Sequence, residues 1–186
     1  LSNYDFSSGA NSSGGILARI DSGNFLFDNT GNISMTGMNN FGVIANGAST
    51  TVDIDTNISS TGDGNIVLYA RGGGKMKYAG TIETNGDESH GIVIDTSTST
   101  LSNYSGGTVT VETSGNESIA LYNRGTVNLL NGGTYKATGD ESNIIYNTGG
   151  TTNITGTNTY EVGTNGVGFY VDGGKLTLDS NGGTSN

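Results

Sequence analysis

Ser118-Ile-Ala-Leu-Tyr-Asn-Arg-Gly125, Ser142-Asn-Ile-Ile-Tyr-Asn-Thr-Gly149 and Gly166-Val-Gly-Phe-Tyr-Val-Asp-Gly173 are three versions of one phrase. Their tyrosines, Tyr122, Tyr146 and Tyr170, recur every 24 residues. A fixed period between about 20 and 50 residues marks a chain that stacks one structural unit on the next. Within each phrase, apolar and polar residues mix over only five or six positions before glycine interrupts. That length suits a strand, not a helix.

The period extends in both directions. Taking the Ser, Asn or Gly before each apolar run as an anchor gives Ser13, Asn40, Gly64, Ser89, Ser118, Ser142 and Gly166, at steps of 27, 24, 25, 29, 24 and 24. Three residues beyond these anchors stand Ile16, Val43, Val67, Ile92, Leu121, Ile145 and Phe169, all apolar. They are expected to form a continuous inward ladder. A second run alternates in most units, with Val52 and Ile54, Met76 and Tyr78, Val127 and Leu129, or Leu176 and Leu178 on one face. Asp53, Lys77, Asn128 and Thr177 take the other, as period-two alternation requires of a half-buried strand. A third run begins at Ile33, Ile58, Ile82, Tyr135 or Tyr160 and ends at glycine.

Three short strands and three Gly/Asn-rich corners per unit describe one turn of a parallel β-helix. Gly and Asn suit corners that need positive φ. The absence of proline leaves every strand residue able to donate to its neighbour. Roughly seven coils at about 4.8 Å each predict a rod about 33 Å long. The 29-residue unit carries an extra Thr/Ser stretch, Thr96 to Thr100, expected to bulge as a loop. The β-branched and aromatic character of the runs argues against a helical solenoid, and the period is too short for a propeller blade.

Composition supports this reading. The 186 residues include 33 Gly, no Cys and no Trp, with 32% hydrophobic and 13% charged residues. So thin a core suffices only if apolar side chains are placed by a repeat. The net charge of −10 argues against nucleic acid, because little basic surface is available to neutralise phosphates. Lack of cysteine removes disulfides and thiolate metal ligands. No apolar run reaches the roughly 18 residues of a membrane helix, so no membrane insertion by this segment is expected. The chain starts and stops within the repeat, and 1–186 is expected to be a single β-helix segment of a longer protein.

The runs Gly91 to Ile94, Ser118 to Tyr122 and Gly168 to Val171, each followed by glycine and a Thr-Val-Asn-Leu-like strand, resemble the passenger repeats of type V autotransporters. The large Gly/Asn/Thr-rich surface adhesins of fusobacteria and their relatives are the nearest likeness. The resemblance covers nearly the whole chain and implies a right-handed parallel β-helix. It further implies display at the cell surface, attached to a Gram-negative outer membrane through a C-terminal barrel. The implied partner is a host-cell or bacterial surface protein or glycan, met by a chain that is monomeric within its parent.

Residue chemistry adds little that is catalytic, and no cofactor, metal or catalytic residue is expected. Asp53 and Asp55 share an outward face, but the 24-residue offset sets Lys77 beside Asp53 and makes an ordinary cross-strand ion pair. His90, the sole histidine, stands where other units hold Phe41, Asn65, Ile119, Asn143 or Val167. The strings Gly86 to Ser89 and Gly139 to Ser142 recur at equivalent corners, which marks their serines as structural. The acids Asp87, Glu88, Asp140 and Glu141 belong to the same corners and are expected to be solvated. A polysaccharide lyase or hydrolase on this fold is the alternative, needing clustered acids in a lateral groove across adjacent coils. A pure spacer is the third reading.

The one binding hypothesis is the column Tyr122, Tyr146 and Tyr170, set against a structural reading, the weightier of the two, in which the stacked rings stiffen the rod or the parity is reversed and they lie in the core. If Leu121, Ile145 and Phe169 point inward, these rings point outward and stack. Earlier units place Leu17, Ile44, Leu68 and Val93 there. Next to the tyrosines, Asn123 and Asn147 resemble an asparagine ladder, with amides bonded from coil to coil.

Overall fold

The computed structural model describes residues 4–7 and 14–179; among them there is no helix, and strands pair in parallel. In chain order, β1 (Tyr4–Ser7) precedes three coils of two strands. These are β2 (Ile16–Ile20) with β3 (Gly23–Thr36), β4 (Phe41–Asn46) with β5 (Thr50–Thr61), and β6 (Ile66–Arg71) with β7 (Lys75–Thr84). The next coil holds β8 (His90–Ile94), β9 (Thr100–Asn103) and β10 (Val109–Thr113). After it come β11 (Ile119–Asn123), β12 (Thr126–Leu129) and β13 (Gly133–Ala137). A further coil has β14 (Asn143–Thr148), β15 (Thr151–Thr155) and β16 (Asn158–Val162), before β17 (Val167–Asp172) and β18 (Lys175–Asp179).

Like strands stack on like. β2, β4, β6, β8, β11, β14 and β17 form a seven-stranded sheet, and the others form an eleven-stranded one. In the larger sheet β7 pairs with both β9 and β10, so one long strand of an early coil feeds two short strands of the next. The expected three strands per coil therefore hold from β8 onward, whereas the second and third merge in β3, β5 and β7. Seven stacked strands enclose about six full turns, a minor difference from seven coils.

The core is built from columns. In the seven-stranded sheet the register links Ala18, Val43, Leu68, Ile92, Leu121, Ile145 and Phe169. The five from Val43 to Ile145 are fully buried. Each such Leu or Ile contributes about 1.5–3 kcal/mol by leaving water. Ile33, Ile58, Ile82, Val111, Tyr135 and Tyr160 make a second column in the eleven-stranded sheet.

Two members of the predicted ladder are corrected. Ile16 lies in register with outward Phe41 and is 41% exposed, leaving its place in the ladder to Ala18. Val67 is buried, but the ladder residue is its neighbour Leu68. Here the coils depart from strict alternation. Pairing steps over Gly42, Ala120 and Ile144, and two successive residues turn inward, as in Ala120–Leu121 and Ile144–Ile145. Both misplacements come from anchors counted early, by two residues before Gly15 and by one before Asn65, which are the positions that align with Asn40 and Ser89. Phe169 keeps its register but is 39% exposed, since β17 is the last strand of its sheet.

The corner before each seven-stranded rung carries a buried polar ladder. The backbone N–H of Asn40 donates to Asn65 Oδ1 at 2.7 Å, that of Asn65 to Ser89 Oγ at 3.1 Å, and that of Ser89 to Ser118 Oγ at 3.2 Å. Ser118 N–H donates to Ser142 Oγ at 3.0 Å. The true anchors are thus Asn65 in place of Gly64, while Ser13 lies outside the described residues. Gly86, Gly115 and Gly139 stack beside this ladder, where any Cβ would collide with the carbonyl oxygen of Gly62, Gly86 or Gly115 below.

Positive φ at this corner falls on Gly14 and Gly64, and on Asn39, Glu88, Glu117, Glu141 and Asn165 at 53–55°. Gly and Asn were expected, yet three glutamates adopt the left-handed region. Each spends its N–H on a carbonyl of the next coil: Glu88 on Asn116 at 2.8 Å, Glu117 on Asp140 at 2.9 Å and Glu141 on Thr164 at 3.1 Å. The stacked geometry thus holds a conformation that costs a β-carbon residue about 1–2 kcal/mol.

The long unit also differs from expectation. Asn103 pairs with Tyr78 and Val109 with Gly80, so residues 104–108 replace the single link Ala79. At the other corner, residues 95–99 replace 71–74, between the pairs Ala70–Ile94 and Lys75–Thr100. Most of the insertion is therefore at Tyr104–Thr108, with only one extra residue near Thr96–Thr100.

Candidate functional site

The outer face of the seven-stranded sheet carries the aromatic column. Leu121 and Asn123 are fully buried, while Tyr122 between them is only half-buried. Ile145, Tyr146 and Asn147 repeat that pattern. The tyrosines therefore point outward. Tyr122 and Tyr146 stack with centroids 5.7 Å apart and planes 17° from parallel; Tyr146 and Tyr170 stack at 4.5 Å and 25°. Each ring covers the next, so the strip presents ring edges and phenol oxygens, and Tyr170 at its end is 39% exposed.

Register extends this column through Val93, Tyr69 and Ile44 to Arg19. Tyr69 and Arg19 replace Leu68 and Leu17 of the sequence reading. A fourth tyrosine was missed because Gly64 set the third unit one residue early; the polar anchor Asn65 is the signal that finds it. Phe41 stacks on Tyr69 at 5.6 Å, and Ile44 and Val93 are almost covered beneath their larger neighbours.

A charged edge borders the strip. Tyr69 Oη donates to Asp95 Oδ2 at 2.7 Å, and Asp95 Oδ1 lies 3.4 Å from Arg124 Nη1. Burial foremost, then the bond to Asp95, raises the Tyr69 pKa above that of a free phenol. The Arg71 guanidinium sits 5.8 Å from the Tyr69 ring centre and donates through Nε to Asn46 Oδ1 at 3.1 Å. Beside Arg124 an open groove of about 470 Å³ is lined by Asp95, Thr96, Ser97, Arg124, Thr148 and Gly149.

Its shape follows from unequal corners. Ile94 pairs with Asn123 and Thr100 with Thr126, so residues 95–99 project over a corner made by 124–125 alone. Residues 148–150 make the corresponding corner above it, between Asn147 and Thr151. The short middle corner leaves a notch in the edge of the rod.

A second lateral groove, about 370 Å³, lies on the eleven-stranded sheet. Glu83, Glu112, Lys136 and Glu161 occupy one outward register position in four successive coils. Lys136 Nζ is 3.5 Å from Glu112 and 3.6 Å from Glu161, and the Glu112 charge above all raises its pKa. Sequence reading passed over this cluster because the 29-residue unit hides the alignment of Glu83 with Glu112.

The remaining candidates fall into ordinary structural roles. Asp53 and Lys77 are register partners 3.5 Å apart, the cross-strand pair expected. His90 aligns with Ile66 and Ile119, and its Nδ1 accepts the Ile119 N–H at 3.2 Å. Ser89 and Ser142 are fully buried, their hydroxyls donating to Gly62 and Gly115 carbonyls. Asp87 and Asp140 are exposed, and Asp87 Oδ1 accepts the Asn116 N–H at 2.7 Å. Asn123 and Asn147 form the predicted ladder at 3.1 Å.

Among the described residues no group of three or more His, Cys, Asp or Glu is placed to hold a metal ion. Comparison with family models, with curated proteins and with solved structures finds no match to this chain.

Proposed function

We propose that this chain is a non-enzymatic segment of a surface-displayed adhesin, a rigid rod that also binds through its side. The observation that carries the reading is the outward stack Tyr122–Tyr146–Tyr170. The stacked rings are already held, so the ring edges and phenol oxygens that they present lose little freedom on binding. Arginines beside tyrosines are the side chains most often found at the energetic centre of interfaces. Display at a Gram-negative surface, with a host-cell or bacterial partner, is supported by the resemblance of the repeats to autotransporter passengers. Adhesion of the purified chain to epithelial and bacterial cells tests it. Cell binding that the triple substitution Tyr122→Ala, Tyr146→Ala, Tyr170→Ala removes supports the strip; binding that survives it contradicts the strip, and no binding leaves the spacer reading.

The groove of Glu83, Glu112, Lys136 and Glu161 favours a second reading, a carbohydrate-active enzyme. Acids of adjacent coils in a lateral groove are what such chemistry requires. Incubation with acidic and neutral polysaccharides, with Glu112→Gln as control, tests it through product formation.

A further inference from the structure

We infer that the notch beside Arg124 is a subsite for a neutral saccharide, resting on the reading of this face as the binding surface. The notch is lined by one carboxylate, one guanidinium, three hydroxyl side chains and a glycine, with no apolar side chain among them. A protein partner anchors by seating an aromatic or aliphatic side chain in an apolar pocket, and none is offered here. A sugar instead presents adjacent hydroxyls that both donate and accept. Asp95 supplies the acceptor, Arg124 the donor, and Ser97 and Thr148 supply groups of both kinds.

The acceptor is held in place before any ligand arrives. Tyr69 fixes Asp95 through Oδ2, so Oδ1 stays turned toward Arg124. Thr96 Oγ1 is tied to Ser99 Oγ at 2.7 Å, which stiffens the projecting corner. Pre-set polar groups lose little freedom on binding. The Arg124 side chain is 53% exposed, and its ion pair with Asp95 is long enough to open or share a hydroxyl. Charge selects the ligand further. The Asp95 and Arg124 charges cancel, so the notch gives an anionic sugar no net attraction, and the chain's net charge of −10 opposes one. The volume, about 470 Å³, falls in the range of small-molecule sites. Tyr122 and Tyr146 stand two residues before Arg124 and Thr148 in sequence, so a longer oligosaccharide running toward the seven-stranded sheet would meet them.

The test is calorimetric titration of the whole chain with neutral hexose and N-acetylhexosamine oligosaccharides, and with their sialylated counterparts, at up to roughly 10 mM. The expected result is binding of at least one neutral probe, weakened about tenfold or more by Arg124→Ala and by Asp95→Asn. Lys136→Gln, in the other groove, is expected to change nothing, and thermal melts confirm that each variant folds. No binding of any neutral probe, or binding that Arg124→Ala leaves intact, overturns the inference. Tyrosine-dependent cell adhesion alongside that negative result overturns the saccharide subsite alone and assigns the face to a protein partner. Absence of cell adhesion counts against the broader reading, whatever the sugars do.

Discussion

The side-chain amide of Asn123 donates to Oδ1 of Asn147, 24 residues later, at 3.1 Å, and both residues are fully buried. The Asn123 amide also donates to Thr152 Oγ1 at 2.8 Å, while its own Oδ1 accepts the Gly125 N–H at 2.8 Å. A buried amide satisfied on both ends fixes the register of one coil on the next, since a slip of one residue would strand every partner. Asn123→Ala leaves several of these groups without a bond. The expected loss is about 1–3 kcal/mol, read as a lower denaturation midpoint. A loss below about 0.5 kcal/mol would show that the ladder is ornamental.

Glycines divide into two kinds that one substitution separates. A Cβ on Gly115 would strike the Gly86 carbonyl of the coil beneath, whereas one on Gly149 meets nothing within 4 Å. Gly149 nonetheless sits at φ 79°, so Gly149→Ala is expected to cost about 1–2 kcal/mol from backbone strain alone. Gly115→Ala must push neighbouring coils apart and is expected to cost more, above about 3 kcal/mol. Equal melting temperatures for the two variants would contradict the close approach.

His90 gives the rod a pH dependence of known sign. Burial lowers its folded pKa below the ordinary 6.5, and its Nδ1 must stay unprotonated to accept the Ile119 N–H. The unfolded chain therefore binds this proton more readily than the folded one. Stability from this residue is present above about pH 6.5 and is lost as pH falls through that value toward the folded pKa. Melting temperatures from pH 7.5 to 5 should drop more for the native chain than for His90→Ile, which copies Ile66 and Ile119 in the same column. Parallel pH profiles for the two proteins would refute this.

Much of the architecture was legible because a solenoid writes its core once per coil. Ile92, Leu121 and Ile145 could be aligned by the Ser anchors across steps of 29 and 24 residues, and all three are buried. The 24-residue step also placed Lys77 beside Asp53 and Asn123 beneath Asn147. Errors arose where the spacing varies. The Gly64 anchor stands one residue before the equivalent Asn65, so Leu68 was read in place of Tyr69 in the aromatic column. The insertion at 104–108 shifts one coil against the next, which concealed both its own position and the alignment of Glu83 with Glu112. The Arg124 notch was illegible for a different reason. It is made by a difference in corner length between neighbouring coils, and no single repeat contains that information.

The most direct measurement is hydroxyl-radical footprinting of the chain free and bound to cells. Tyr122, Tyr146 and Tyr170 should be oxidised in the free rod and protected on binding. Leu26 and Leu130, each 54% exposed and away from the aromatic column, should react equally in both states. Protection confined to the Glu83–Glu161 side of the rod, with the three tyrosines still reactive, would contradict the assignment of the binding face.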